Sequence, residues 1–134
     1  MLNRIILLVC VMSFVYVCMR YLKKRQENTV KAATSQHSAH TTTPTILYFW
    51  SPQCQHCKTT QKPILEKLQE KKQAALALRM ININDKPDEA ANWGVRTVPT
   101  TYVLDSLGNL VHINNGVATE KQLLNQLDSV LQST

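Results

Sequence analysis

The sequence predicts an α/β domain built on a mixed four-stranded sheet with helices on both faces, carried behind an N-terminal transmembrane helix. Three observations carry that expectation. An uncharged apolar run, "IILLVCVMSFVYVCM", occupies Ile5 to Met19. After Pro44, apolar runs of strand length alternate with segments of helical periodicity in the order β-α-β-α-β-β-α. Between the first strand and the first helix stand two cysteines in a Cys-x-x-Cys spacing, Cys54 and Cys57.

The first apolar run contains no charge, glycine or proline. Fifteen residues fall short of the roughly 20 that a span needs. Leu2 and the pair Tyr21–Leu22 extend it, with Arg4 and Arg20 reaching to the interfaces. Residues 5–22 are therefore expected to anchor the chain, within an anchor and basic flank covering 1–25. A cleaved signal peptide is the rival reading, but no small-x-small site follows the run closely. Residues 26–43 are polar and rich in Ser and Thr, and read as a flexible linker reaching roughly 20–25 Å. His37 and His40 in it have a metal-pair spacing, which a solvated linker explains without a metal.

The folded domain is expected over 44–134. "ILYFW", Ile46 to Trp50, is a continuous apolar run and fits a central strand buried on both faces. Gln55 to Lys72 contains no glycine, and Ile64, Leu65 and Leu68 give it one apolar face. Pro63 should kink that helix by removing a backbone donor. Leu76 to Ile83 alternates as a second strand, and Pro87 opens a short helix reaching Trp93. Thr100 to Leu104 and Leu110 to Ile113 are β-rich and flank "DSLGN", a hairpin signal. Thr119 to Leu131 closes the chain as an amphipathic helix with Leu123, Leu124, Leu127, Val130 and Leu131 on one face and Thr119 as its cap. The first βαβ unit is a right-handed crossover between parallel strands. The hairpin adds antiparallel ones, and the site belongs beyond the carboxyl end of a central strand, where Cys54 lands.

The chain carries a net charge of +6. Before Pro44 six basic residues face one acid; from Pro44 onward nine face eight. The domain is thus close to neutral, and the basic balance is no argument for nucleic acid. The basic cluster flanks the apolar run, as in membrane proteins, and its position after the run favours a cytoplasmic domain.

Cysteines opening a helix have a physical use. Unpaired N–H groups and the helix dipole favour negative charge at the first one, and the thiolate is the attacking species. Cys54 is expected to attack and Cys57 to resolve. His56, by donating a hydrogen bond or placing positive charge near the Cys54 sulfur, would lower the pKa of that thiol; an exposed loop histidine is the alternative. A metal reading needs two further ligands, and His112 is the only later histidine. A structural disulfide across two residues would restrict little loop entropy. No metal and no cofactor are expected. Cys10 and Cys18 read as apolar filler of the anchor, with helix–helix pairing as the sharper alternative.

These motifs resemble the thioredoxin-like superfamily from Ile46 to Leu131. "FWSPQCQHCK" is similar to its strand-end Cys-x-x-Cys, "AANWGVRTVPTTYVLDSLGNLV" to its second hallmark, and "GVATEKQLLNQL" to its final glycine and helix. The resemblance implies a minimal thioredoxin-like fold and a thiol–disulfide oxidoreductase with Cys54–Cys57 as redox-active disulfide. It implies a cis bond before Pro99, and a substrate backbone pairing with Val98 like an added strand. Trp50 and Gln53 flank that platform. It also implies protein thiols and disulfides as substrates, a membrane redox partner that recharges the site, and a bacterial inner-membrane anchor with the domain in the periplasm. A reductant dedicated to one pathway, such as cytochrome c maturation, and a non-redox peptide-binding module are the alternatives. Four departures stand out. Tyr48 takes the place of the family's buried aspartate, and Met80 that of the aspartate's lysine partner. Gln53 replaces a tryptophan, and the helix proline comes one residue late.

Overall fold

In a computed structural model of the chain, the structure describes residues 10–21 and 43–132. Its elements are α1 (residues 10–21), β1 (Thr45–Trp50), a π-helical turn (Cys57–Gln61) running into α2 (Lys62–Lys72), β2 (Ala77–Asn82), α3 (Pro87–Asn92), β3 (Thr100–Leu104), β4 (Leu110–Asn115) and α4 (Glu120–Gln132). The sheet order is β2-β1-β3-β4, with β1 parallel to β2 and antiparallel to β3, and β4 antiparallel to β3. A mixed four-stranded sheet is thus present, in the element order the sequence implies.

The expected membrane helix does not appear among the described residues. Among the described residues no helix is long and apolar enough to cross a membrane. The rest of the expected 5–22 span, and all of the expected 26–43 linker but its last residue, His37 and His40 included, lie outside the described residues. With the span go the expectations that depended on it, namely the inner-membrane tether, the periplasmic domain and the membrane redox partner. Cys10 and Cys18 are exposed free thiols on α1.

Strand alternation divides the core between the two sheet faces. Ile46 and Tyr48 from β1 and Val103 from β3 pack with Cys57, Leu65, Leu68, Leu123, Leu127 and Val130 under α2 and α4. Leu47 and Phe49 pack with Ile81, Ala90, Trp93, Tyr102 and Leu104 on the α3 side. From Ile46 to Trp50, β1 therefore reads as an unbroken apolar run because both its faces are covered, while β3 buries Thr100 and Thr101 ahead of its apolar Tyr102, Val103 and Leu104. The hairpin between β3 and β4 turns on Asp105, whose carboxylate accepts the N–H groups of Leu107 (2.9 Å) and Asn109 (2.7 Å), with Gly108 at φ +82°. Thr119 caps α4, its Oγ1 accepting the Gln122 N–H at 3.2 Å. Leu131, expected on the apolar face of α4, is 47% exposed, because the buried stripe runs through Leu123, Leu127 and Val130 and Leu131 turns about 100° away from Val130.

Candidate active site

β1 ends at Trp50, and a turn through Ser51–Gln53 aims the chain into a helix. The Cys54 N–H closes that turn on the Ser51 carbonyl at 3.1 Å. Cys54 and Cys57 form a disulfide with their Cα atoms 5.3 Å apart. The two sulfurs sit in unequal places. Cys57 is fully buried, while Cys54 is half-buried and packs against the edge of the same core. The Cys57 backbone N–H points at Cys54 Sγ, 3.1 Å away. That is a helix-start donor aimed at the sulfur where negative charge would develop. His56 is exposed on the turn between the cysteines.

Beneath the pair lies Tyr48. Its hydroxyl donates to the Cys57 carbonyl at 2.8 Å, and the side chain is 1% exposed. Burial pushes its pKa up to about 12, so it stays a protonated donor at neutral pH. Met80 is its direct neighbour across the parallel ladder. The positions that the resemblance assigns to a buried acid and its lysine are thus adjacent here, and neither carries a charge. Among the described residues the buried polar side chains are Thr45, Ser51, Gln61, Thr100, Thr101 and Asn114, with no carboxylate below the cysteines.

The late proline is accommodated in the helix backbone. Pro63 offers no N–H to the Thr59 carbonyl. The preceding turn widens instead, and the Lys62 N–H bonds the Cys57 carbonyl five residues back. An expected kink is thus realised as a π-turn that takes up one extra residue, after which α2 runs regularly from Lys62. Gln61, the last residue of the turn, is fully buried. Its Oε1 accepts the Ala118 N–H at 2.7 Å, and its Nε2 donates to the Ala118 carbonyl at 3.3 Å.

The opposite wall is the loop before β3. The Val98–Pro99 bond is cis. Thr100 Oγ1 donates to the Thr97 carbonyl at 2.8 Å and shapes the turn. The Gly116 N–H donates to the Pro99 carbonyl at 2.8 Å. Gly116 sits at φ +96°, and a side chain there would meet nothing within 4 Å, so the backbone angle alone asks for glycine. Pro99 is buried; Val98, Trp50 and Cys54 are half-buried and pack against the same core edge. Gln53 is exposed, and its Oε1 accepts from Asn84 Nδ2 at 2.9 Å, tying the cysteine turn to the loop after β2.

Asn84 and Gln61 escaped the sequence reading. Asn84 left no signal. Gln61 did, as a polar residue four and seven positions before Leu65 and Leu68 on a helix whose buried face they define. His112, considered as a metal ligand, is half-buried and bonds Ser129 Oγ at 3.0 Å. Among the described residues no group of three or more His, Cys, Asp or Glu side chains could hold a metal.

A strand-end disulfide at a helix start, one sulfur accessible and one buried, supports two-electron exchange between a dithiol and a disulfide. Fold and site together define a thiol–disulfide oxidoreductase. The thioredoxin family model matches residues 26–129, and the chain belongs to that family. It is 32% identical over 95 residues to a thioredoxin of Bacillus subtilis, covering 70% of this chain and 89% of that one. It is 25% identical over 100 residues to a thioredoxin of Pyropia yezoensis, covering 75% and 92%. Among solved structures, a malarial protein superposes with a TM-score of 0.62 at 22% identity, covering 66% of this chain and 98% of that one. Thioredoxin-2 of the malaria parasite, a component of its protein secretion machinery, gives 0.61 at 22% identity, covering 65% and 82%. At that identity the structures speak to the fold alone.

Proposed function

We propose that the protein exchanges disulfides with protein substrates, Cys54 attacking and Cys57 resolving. The observation that carries this reading is the unequal burial of the two sulfurs, Cys54 half-buried with a backbone N–H aimed at it and Cys57 with no exposure. In the reducing direction the Cys54 thiolate attacks a substrate disulfide sulfur, and the substrate's other sulfur leaves as a thiolate that takes a proton from water. Cys57 then loses its proton to water and attacks Cys54 Sγ. The Cys54–Cys57 bond forms, the mixed disulfide breaks, and two electrons have passed to the substrate. The oxidising direction is the same path reversed. Val98 and cis-Pro99 form a platform for extended substrate backbone, with Trp50 and Gln53 at its rim. His56 favours the Cys54 thiolate through positive charge or a donated hydrogen bond.

Alkylation of the reduced protein, read per cysteine by peptide mass, should label Cys54 ahead of Cys57. Cys57→Ser should accumulate mixed disulfides with protein substrates through Cys54. Accumulation in Cys54→Ser through Cys57 instead would reverse the two roles.

A further inference from the structure

The π-turn is held at both ends by buried polar contacts that the exchange chemistry itself does not require. At its start the Cys57 carbonyl accepts two donors, the Lys62 N–H and the Tyr48 hydroxyl at 2.8 Å. At its end the Gln61 amide makes a two-bond clasp on the Ala118 backbone, 57 residues away. Ala118 follows Gly116 by two residues, and Gly116 holds the Pro99 carbonyl. A five-residue π-turn carries one residue more than a regular helical turn would, and nothing local says where along the helix that surplus should sit. If it slid by one residue, Cys57 would rotate by about 100° about the helix axis. Its sulfur would then leave its place behind Cys54.

We infer that Tyr48 is a positioning residue for the exchange reaction, its hydroxyl pinning the π-turn at Cys57 so that the resolving sulfur stays buried behind Cys54, with Gln61 fixing the other end against the loop that buttresses Pro99. The inference rests on the proposed roles of Cys54 and Cys57. The raised pKa of Tyr48 agrees with it, since a phenol that stays protonated at neutral pH remains a donor to the carbonyl.

The molecule contains its own control. Tyr102 is equally buried, and its hydroxyl donates to the Trp93 carbonyl at 2.7 Å, on the sheet face without cysteines. Tyr48→Phe and Tyr102→Phe each keep a packed ring and lose one buried hydrogen bond. The full-length chain is reduced and then oxidised with glutathione disulfide, with each cysteine followed by peptide mass so that Cys10 and Cys18 do not confuse the result. In Tyr48→Phe, alkylation of Cys57 relative to Cys54 should rise, and resolution of the Cys54–glutathione mixed disulfide should slow. Each change should be about fivefold, the equivalent of one lost hydrogen bond. Tyr102→Phe should stay within about twofold of wild type in both, since its bond lies off the reaction path. The inference is overturned if Tyr48→Phe matches wild type, or if both variants shift alike, which would mark a general loss of stability. Failure of the exchange reading itself looks different. Glutathione disulfide would then be reduced by Cys54→Ser as fast as by wild type, before any tyrosine variant is compared.

Discussion

The two faces of the sheet are built on the same plan and differ in what the plan holds. Each buries one tyrosine whose hydroxyl donates to a backbone carbonyl nine residues away, Tyr48 to Cys57 and Tyr102 to Trp93. Burial pushes both pKa values up to about 12. Each also clasps an acid between two cations, Glu120 between Lys67 and Lys71 under α2 and α4, and Glu89 between Arg79 and Lys86 at α3. On the α3 face the tyrosine locks an aromatic cluster, Tyr102 meeting Phe49 edge-on at 5.5 Å and Trp93 at 5.4 Å. On the other face the same device ends on Cys57, the proposed resolving cysteine. One face stores stability, and the other spends the same kind of contact on aiming a sulfur.

That division predicts stability losses without redox change on the α3 face. Trp93→Ala empties the centre of its aromatic cluster and should cost about 3–5 kcal/mol, lowering the urea midpoint while the exchange equilibrium with glutathione stays that of wild type. On the opposite face, Gln61→Leu leaves the buried Ala118 N–H and carbonyl without their partner, at about 1–3 kcal/mol each. Unlike Trp93→Ala, it should also change the ratio of Cys57 to Cys54 alkylation. If both variants move only the urea midpoint, the functional asymmetry of the faces is gone.

Alkaline pH should treat the faces alike. Each tyrosine holds its proton to about pH 12 when folded and to about pH 10 when unfolded. Between those values the native state binds more protons, so stability falls as pH rises. The contribution is full below pH 10 and lost on passing pH 12. Two units at 1.36 kcal/mol each make it about 2–3 kcal/mol per tyrosine. Tyr48→Phe and Tyr102→Phe should flatten the alkaline limb of the unfolding curve by similar amounts. A flattening by Tyr48→Phe alone would mean that Tyr102 is not protonated through burial.

How legible this was from sequence follows from the range of each contact. β1 announced itself because a strand covered on both faces needs an unbroken apolar run, which "ILYFW" supplies, and β3 because "TTYVL" is rich in β-branched and aromatic residues beside a hairpin signal. Thr119 and the leucines of α4 read as a capped amphipathic helix because those relations are local. The π-turn was not legible, since Ile64, Leu65 and Leu68 fit a kinked helix as well as a widened one. The pairing of Tyr48 with the Cys57 carbonyl joins a strand to a helix through the fold, and side-chain spacing carries no trace of it. The anchor failed for another reason. Apolar composition over 5–22 registers hydrophobicity alone, whereas among the described residues no helix is long and apolar enough to cross a membrane, and part of 5–22 lies outside them.

His56 has no counterpart on the α3 face, and its effect should be purely redox. Favouring the Cys54 thiolate stabilises the dithiol and makes the disulfide the stronger oxidant. His56→Pro removes the imidazole and should make the potential more negative by about 30 mV, or about 1.4 kcal/mol. The wild-type potential should be less negative than roughly −270 mV, the thioredoxin value. Equilibration with glutathione measures both. Equal potentials for wild type and variant would return His56 to the status of an exposed turn residue.

The smallest effects belong to the two clasped acids. Hydrogen bonds from Lys71 and then Lys67 hold the Glu120 carboxyl below its ordinary range. A depressed folded pKa contributes stability that is present above the unfolded pKa and lost as pH falls through the folded one. Glu120→Gln should therefore lower the melting temperature slightly at neutral pH and remove part of the acid limb. Its partners are 58% and 50% exposed, so added salt should erase most of the difference. The Glu89 side chain is 15% exposed, and Arg79 reaches it at 2.7 Å. Glu89→Gln should cost more and resist salt better, because less water screens the pair. Neither variant should change thiol exchange, since Lys67, Lys71 and Glu120 lie on α2 and α4, Arg79 and Glu89 on β2 and α3, and none of them in the cysteine turn. Melts of both variants at low and high salt test the ranking. A salt-resistant loss for Glu120→Gln that equals that of Glu89→Gln would show the outer clasp of the cysteine face to be as well shielded as that of the α3 face.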